Sequence, residues 1–253
     1  MMVIDCNASA GYWPSRPPMD CSVAAVAARL QDLGVDRAFV ASLESAWCRN
    51  PHAPNQELVA DAALLSGVSP VPTLDPTVHT WRDELANLGR MPNVRMVRLL
   101  PAYSPYPLYE ADEMLEEIRL TGLAVQIQTR LDDPRRQHPL AQVPDVPAAE
   151  VVAIARRHPS VTVVIGGARF VELRALKDEI LDLNRLYADT SQCDSMDAVR
   201  VLCEDGLRDR LLYGSHAMLF DPVSGLRRVV DDLDDETAAL ILGGNAQRAL
   251  WPN

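Results

Sequence analysis

His216 together with Asp133 and Asp189 are the side chains here best suited to catalytic proton transfer. An imidazole titrates near neutral pH and can act as general acid or base. The competing role for His216 is structural, bonded to Asp189 or to a loop carbonyl. Around these three stand candidates for holding a small anionic substrate. A charged stretch runs from Gln128 to His138 and carries Arg130 and Arg136, whose guanidinium groups can grip a carboxylate or phosphate in bidentate fashion. The same charges could instead form an Arg–Asp network that only orders the loop. Asn7, Ser9, Arg98 and Tyr103 complete the binding set. Arg98 is expected to point inward from a strand. Unpaired burial of its charge would be costly, so it calls for Asp189, Asp5 or a bound anion as partner.

The elements that must position these groups alternate regularly. Short β-rich runs fall over residues 2–6, 37–41, 68–73, 94–100, 123–128, 161–165, 186–189 and 210–213. Amphipathic stretches lie between them. Asp20 is placed to cap a helix with the apolar stripe Val23, Val26, Ala27 and Leu30, and Asn55 to open a helix over 56–66. A third helix is expected over 78–88, and Pro147 fits the first turn of a helix ending near His158. The acidic run 231–236 reads as solvated surface that supplies another cap. About eight β/α units without a long linker predict a single-domain α/β chain over 1–253, a (β/α)8 TIM barrel. A doubly wound sheet is disfavoured, because no GxGxxG or GxxxxGK[ST] loop follows any strand. In a barrel, functional groups collect at the C-terminal strand ends, where the candidates above fall.

Composition narrows the partners. The 253 residues are 48% hydrophobic and carry a formal charge of −11, with Lys177 the only lysine. An acidic surface without a basic stripe argues against nucleic acid and anionic membranes. No apolar run reaches the length of a membrane span, and a soluble, cytoplasmic protein is expected. Five scattered cysteines without a CxxC pair predict free thiols and no Cys-rich zinc site. Homo-oligomerisation is compatible with the sequence, and no feature selects a state.

Five segments in order resemble the amidohydrolase superfamily, in its amidohydrolase-related, decarboxylase-like branch. Ile4-Asp5-x-Asn7-x-Ser9-x-Gly11 is similar to that family's opening I-D-x-H-x-H-x-G. Residues 97–101 are similar to its I-R-L-H-P, and 187–191 to its Y-x-D-T-S. Residues 212–217 are similar to L-F-G-S-D-x-P, and 245–250 to the closing G-N-A-x-R-L. The resemblance implies a TIM barrel over nearly the whole chain. It also implies a site in which the strand-1 histidines, a strand-5 His, a strand-6 His and a strand-8 Asp hold one or two divalent metals. At those positions this sequence has Asn7, Ser9, Gln128, Gly166 or Gly167, and His216. Neutral amides and hydroxyls are poor zinc ligands, so the resemblance carries the fold and not the metal.

Two functions follow as expectations. One is a metal-independent hydrolase or isomerase of a small carboxylated substrate such as a lactone. His216 would be its acid/base, and no cofactor is called for. The other is a catalytically inactive barrel that binds a small molecule or a partner. A rebuilt metal site from His52, His138, His216 and Asp133 is conceivable, although their spacing has no signature.

Overall fold

The computed structural model describes residues 2–15, 19–137, 139–140 and 142–251, so His138 lies outside the described residues. Nine parallel strand segments are present among them: Ile4–Ala10 (β1), Arg37–Ser42 (β2), Val68–Pro70 (β3), Thr73–Leu74 (β4), Met96–Leu99 (β5), Ala124–Gln128 (β6), Val163–Gly166 (β7), Leu186–Asp189 (β8) and Leu211–Leu212 (β9). They pair in sequence order as β1-β2-β3 and β4 through β9. β3 and β4 are two halves of one barrel strand. Pro70 and Pro72 have no N–H to donate, so the ladder breaks between them. Single backbone bonds close the ring, from Val71 N to Val40 O and from Arg98 N to Pro72 O, each 2.8 Å. Across the β9–β1 seam Cys6 N donates to Tyr213 O, also at 2.8 Å. The result is the expected TIM barrel.

The surrounding helices are Val23–Asp32 (α1), His52–Ala63 (α2), Trp81–Leu88 (α3), Asp112–Thr121 (α4), Ala148–Arg157 (α5), Phe170–Ala175 (α6), Lys177–Asp182 (α7), Ala198–Glu204 (α8), Pro222–Val230 (α9), Asp235–Ala239 (α10) and Asn245–Leu250 (α11). Their buried stripes, such as Val26 and Leu30 of α1 or Leu115 and Ile118 of α4, pack on the outer face of the strands. Inside the barrel, Ile4, Cys6, Phe39, Met96, Val164 and Leu212 fill the lower half. Ala246, Ala249 and Leu250 of α11 close its floor, and the Trp251 ring lies 5.8 Å from Phe39.

Several local expectations need correction. Ser22, not Asp20, caps α1, accepting from Ala25 N, while Asp20 accepts from Ser22 N one step earlier. Pro147 takes the capping position of α5 rather than its first turn. α3 starts at Trp81, leaving His79 on an exposed turn. His158 closes α5, buried between Asp112 and Glu116 of α4 at 2.7 and 2.9 Å. α2 begins at His52, so Asn55 lies inside it. Its amide brackets the broken strand, donating to Thr73 O at 2.7 Å and accepting from Thr73 N at 2.8 Å. Asp234 caps α10 from the acidic run, as expected. The cysteines are free thiols.

Candidate functional site

β1 delivers its polar groups inward through a slip in its pairing with β2 between Asp5 and Ala8. Below the slip, Ile4 and Cys6 belong to the inner apolar layer. Above it, Ala8 and Ala10 turn to the outer core, which leaves Asn7 and Ser9 inside. A bulge of this kind re-aims side chains by one residue.

Asn7, Ser9, Arg98, Gln126, Gln128 and Asp189 meet there as one fully buried polar layer. Arg98 does not pair directly with an acid, contrary to expectation. Two carboxamides stand between its guanidinium and Asp189. Asn7 Oδ1 accepts from Arg98 Nη2 at 2.9 Å, while its Nδ2 donates to Asp189 Oδ2 at 2.8 Å. Gln126 Oε1 accepts from Arg98 Nε at 2.8 Å, while its Nε2 donates to the same carboxylate oxygen at 3.3 Å. Ser9 Oγ accepts from Nη1 at 3.3 Å. The other oxygen of Asp189 accepts from the Ser191 hydroxyl at 2.5 Å and from the Ser191 and Gly167 amides at 3.0 and 3.2 Å. Burial pushes the Asp189 carboxyl up against these bonds, and draws Arg98 down to about 10.

This layer does not fit a divalent metal. The two side chains at the strand-1 positions already hold a cation, the Arg98 guanidinium. The single carboxylate has both oxygens engaged. At the strand-6 position a side chain has no room, since a Cβ on Gly166 would stand 2.5 Å from Gln128 Oε1. Gly167, with φ +70°, would place one 2.7 Å from Gln128 Nε2 and 2.8 Å from Arg130 O. Gln128 itself is tied down, donating to Arg130 O at 2.7 Å. Among the described residues no group of three His, Cys, Asp or Glu side chains converges as metal ligands.

His216 sits beside this layer, 1% exposed, with φ +56°. Its Nε2 lies 2.6 Å from Leu131 O and must be the protonated nitrogen there, because a carbonyl only accepts. The partner is therefore a loop carbonyl and not Asp189. The other expected catalytic group, Asp133, is engaged by Arg135 on the loop outside the barrel. His52 is half-exposed on the outer flank, 3.4 Å from Glu84, and does not join His216. Arg130 is buried and committed to Asp145 and Gly167 O at 3.3 and 3.2 Å.

Open volume lies above, at the barrel mouth. A cleft of about 480 Å3 is lined by Trp13, Trp47, Tyr103, Asp132, Arg136 and Gln137 with their neighbours. Trp13, Trp47 and Tyr103 form an aromatic triad with centroids 5.1 to 6.1 Å apart. Trp13 Nε1 donates to Asp132 Oδ2 at 3.0 Å, which fixes the deepest ring, while Trp47 stays 46% exposed. Of the sequence candidates, Tyr103 and Arg136 enter this cleft. Trp13, Trp47 and Asp132 were missed. Tryptophans in Pro-rich loops just after the first two strands were the available signal.

Known proteins agree with this architecture. The amidohydrolase family model matches residues 4–250. A search of curated proteins finds no match. Among solved structures, an uncharacterised TIM-barrel protein from Bordetella bronchiseptica superposes with a TM-score of 0.72 at 15% identity, covering 99% of this chain and 98% of its own. The 2,6-dihydroxybenzoate decarboxylase from Rhizobium gives 0.70 at 12% identity, covering 98% of each chain. A probable 2-pyrone-4,6-dicarboxylic acid hydrolase from Acinetobacter baumannii, solved with citric acid bound, gives 0.67 at 16% identity and 99% of each. With the family model spanning nearly every residue, the chain belongs to the amidohydrolase family.

Proposed function

We propose that this protein is a small-molecule-binding barrel that has exchanged its family's metal centre for a fixed internal cation. Its ligand would be a small planar carboxylate held in the cleft at the barrel mouth. The observation that carries the reading is the position of Arg98. Its guanidinium is held by Asn7 and Ser9, at the positions where the family resemblance implies metal-binding histidines. That leaves no activated water at the centre, and a ligand has room only outside it. Trp47 and Tyr103 offer faces on which a flat ring can stack. Arg136, exposed at the rim, has no hydrogen-bond or ion-pair partner for its guanidinium among the described residues and can meet a carboxylate. The names of the relatives, a dihydroxybenzoate decarboxylase and a pyrone-dicarboxylic acid hydrolase, agree with that ligand class.

One observation favours a metal-independent hydrolase acting through His216. The backbone there is left-handed, a strain that recurs at functional sites. Against it, Nε2 is committed to Leu131 O, and the ring is almost wholly buried.

Calorimetry with benzoates, hydroxybenzoates and pyrone carboxylates, run beside a turnover screen of the same acids with lactones and amides, separates the two. Binding is expected for some of the acids, weakened about tenfold or more by Trp47→Ala, with no turnover. Turnover of any panel member that disappears in a folded His216→Ala variant overturns the binding reading.

A further inference from the structure

A second cleft, of about 520 Å3, opens between the loops after β6, β7 and β8 and helix α9. It shares no lining residue with the aromatic cleft. In a chain of net charge −11 it gathers four guanidinium groups, from Arg130, Arg135, Arg169 and Arg228, against the carboxylates of Asp133 and Asp194. The arginines are unevenly neutralised. Arg130 and Arg169 both reach the same oxygen of Asp145, at 3.3 and 3.0 Å, so one carboxylate answers two cations. Arg135 forks onto Asp133. Arg228 on α9 is half-buried and has no hydrogen-bond or ion-pair partner among the described residues. A partly desolvated guanidinium without a counter-charge costs free energy that a bound anion would return. Ser191 and Gln192 also line the cleft, with the Ser191 hydroxyl donated to Asp189 and the Gln192 amide to the Arg130 and Leu131 carbonyls, so the arginines alone supply the donors for an anion.

We infer that this cleft is a binding site for a small oxyanion of at least two negative charges, a phosphoryl group or a dicarboxylate. Arg228 is its anchor, and the uncommitted donors of Arg135 and Arg169 complete the seat. The planar geometry of guanidinium matches both anion types, which is why the chemistry is shared between them. The site would fill whether or not the aromatic cleft is occupied.

The test is calorimetry on the full chain at constant ionic strength, with inorganic phosphate and with malonate as separate titrants and chloride as the control. Saturable binding of phosphate alone assigns a phosphoryl ligand, binding of malonate alone a dicarboxylate, and binding of both a site for either. Arg228→Gln should weaken binding about tenfold or more while the melting temperature of the free protein stays at or above that of the wild type. Arg135→Gln, on the exposed loop, should weaken it less. Arg200→Gln, on α8 and paired with Asp197 and Glu204, should leave it unchanged. The proposal fails if neither anion binds saturably below about 10 mM. It fails equally if Arg228→Gln has no effect, or if Arg200→Gln weakens binding as much.

Discussion

Arg98 and Asp189 are both excluded from water, and each has its charge answered mainly through amide dipoles. Such an arrangement tolerates loss of both charges better than loss of one. Arg98→Met should lower unfolding stability by about 3–5 kcal/mol, since it strands a buried carboxylate. Adding Asp189→Asn should recover a large part of that loss, because without the guanidinium the Asn7 and Gln126 amides are free to flip and pair with an amide at 189. Denaturant titration of both variants decides the matter, and a double variant no more stable than the single one would contradict this account of the layer. The inward aim of Arg98 was read from its place in the fourth β-rich run of an expected barrel. Its partners were not, because choosing between an acid and a pair of carboxamides depends on cross-barrel registers that no local pattern records. His216 had the same difficulty. Its position at a strand end could be read, but the carbonyl it meets is 85 residues away.

Among the elements, the split strand β3–β4 depends on a side chain for what its prolines remove. Asn55 takes up both backbone groups of Thr73 and also donates to Glu84 at 2.5 Å, all in buried surroundings. Asn55→Ala should therefore cost about 2–3 kcal/mol, more than loss of a helix cap, and should speed amide exchange around Thr73 first. Unchanged exchange there would show that the bracket is dispensable. The order of strands was readable because short β-rich runs alternate with amphipathic stretches, several of which stop near a glycine, at Gly34, Gly67, Gly89, Gly122 and Gly206. Asn55 was read as a cap because Asn before an amphipathic run usually is one. The contact that claims it lies 18 residues on. The aromatic cleft escaped notice for a related reason, since its walls come from four separate loops, after β1, β2, β5 and β6, that only the closed barrel brings together.

At the scale of the molecule, closure joins the two ends of the sequence at Asp5. Its carboxylate accepts from the Ser215 amide at 3.0 Å and from the Ser215 hydroxyl at 2.5 Å, 210 residues away, and so fastens β1 to the segment after β9. Burial pushes the Asp5 carboxyl from 3.8 up to about 6. A raised acid binds its proton more tightly folded than unfolded, so this group's contribution is greatest below the unfolded value. It is lost as pH rises towards the folded value. Between about pH 4 and 6 the stability of the wild-type chain relative to Asp5→Asn should fall by roughly 2 kcal/mol, measured by denaturation at each pH. A flat difference would place the Asp5 proton elsewhere. The Arg98 cation at the centre has a consequence of another kind. A metal must be acquired after synthesis, competes with other proteins for supply, and can be stripped by a chelator. A guanidinium arrives with the polypeptide. On the proposed reading the core of this barrel is charged and complete as soon as the chain has folded, and its integrity would not depend on the metal content of its surroundings.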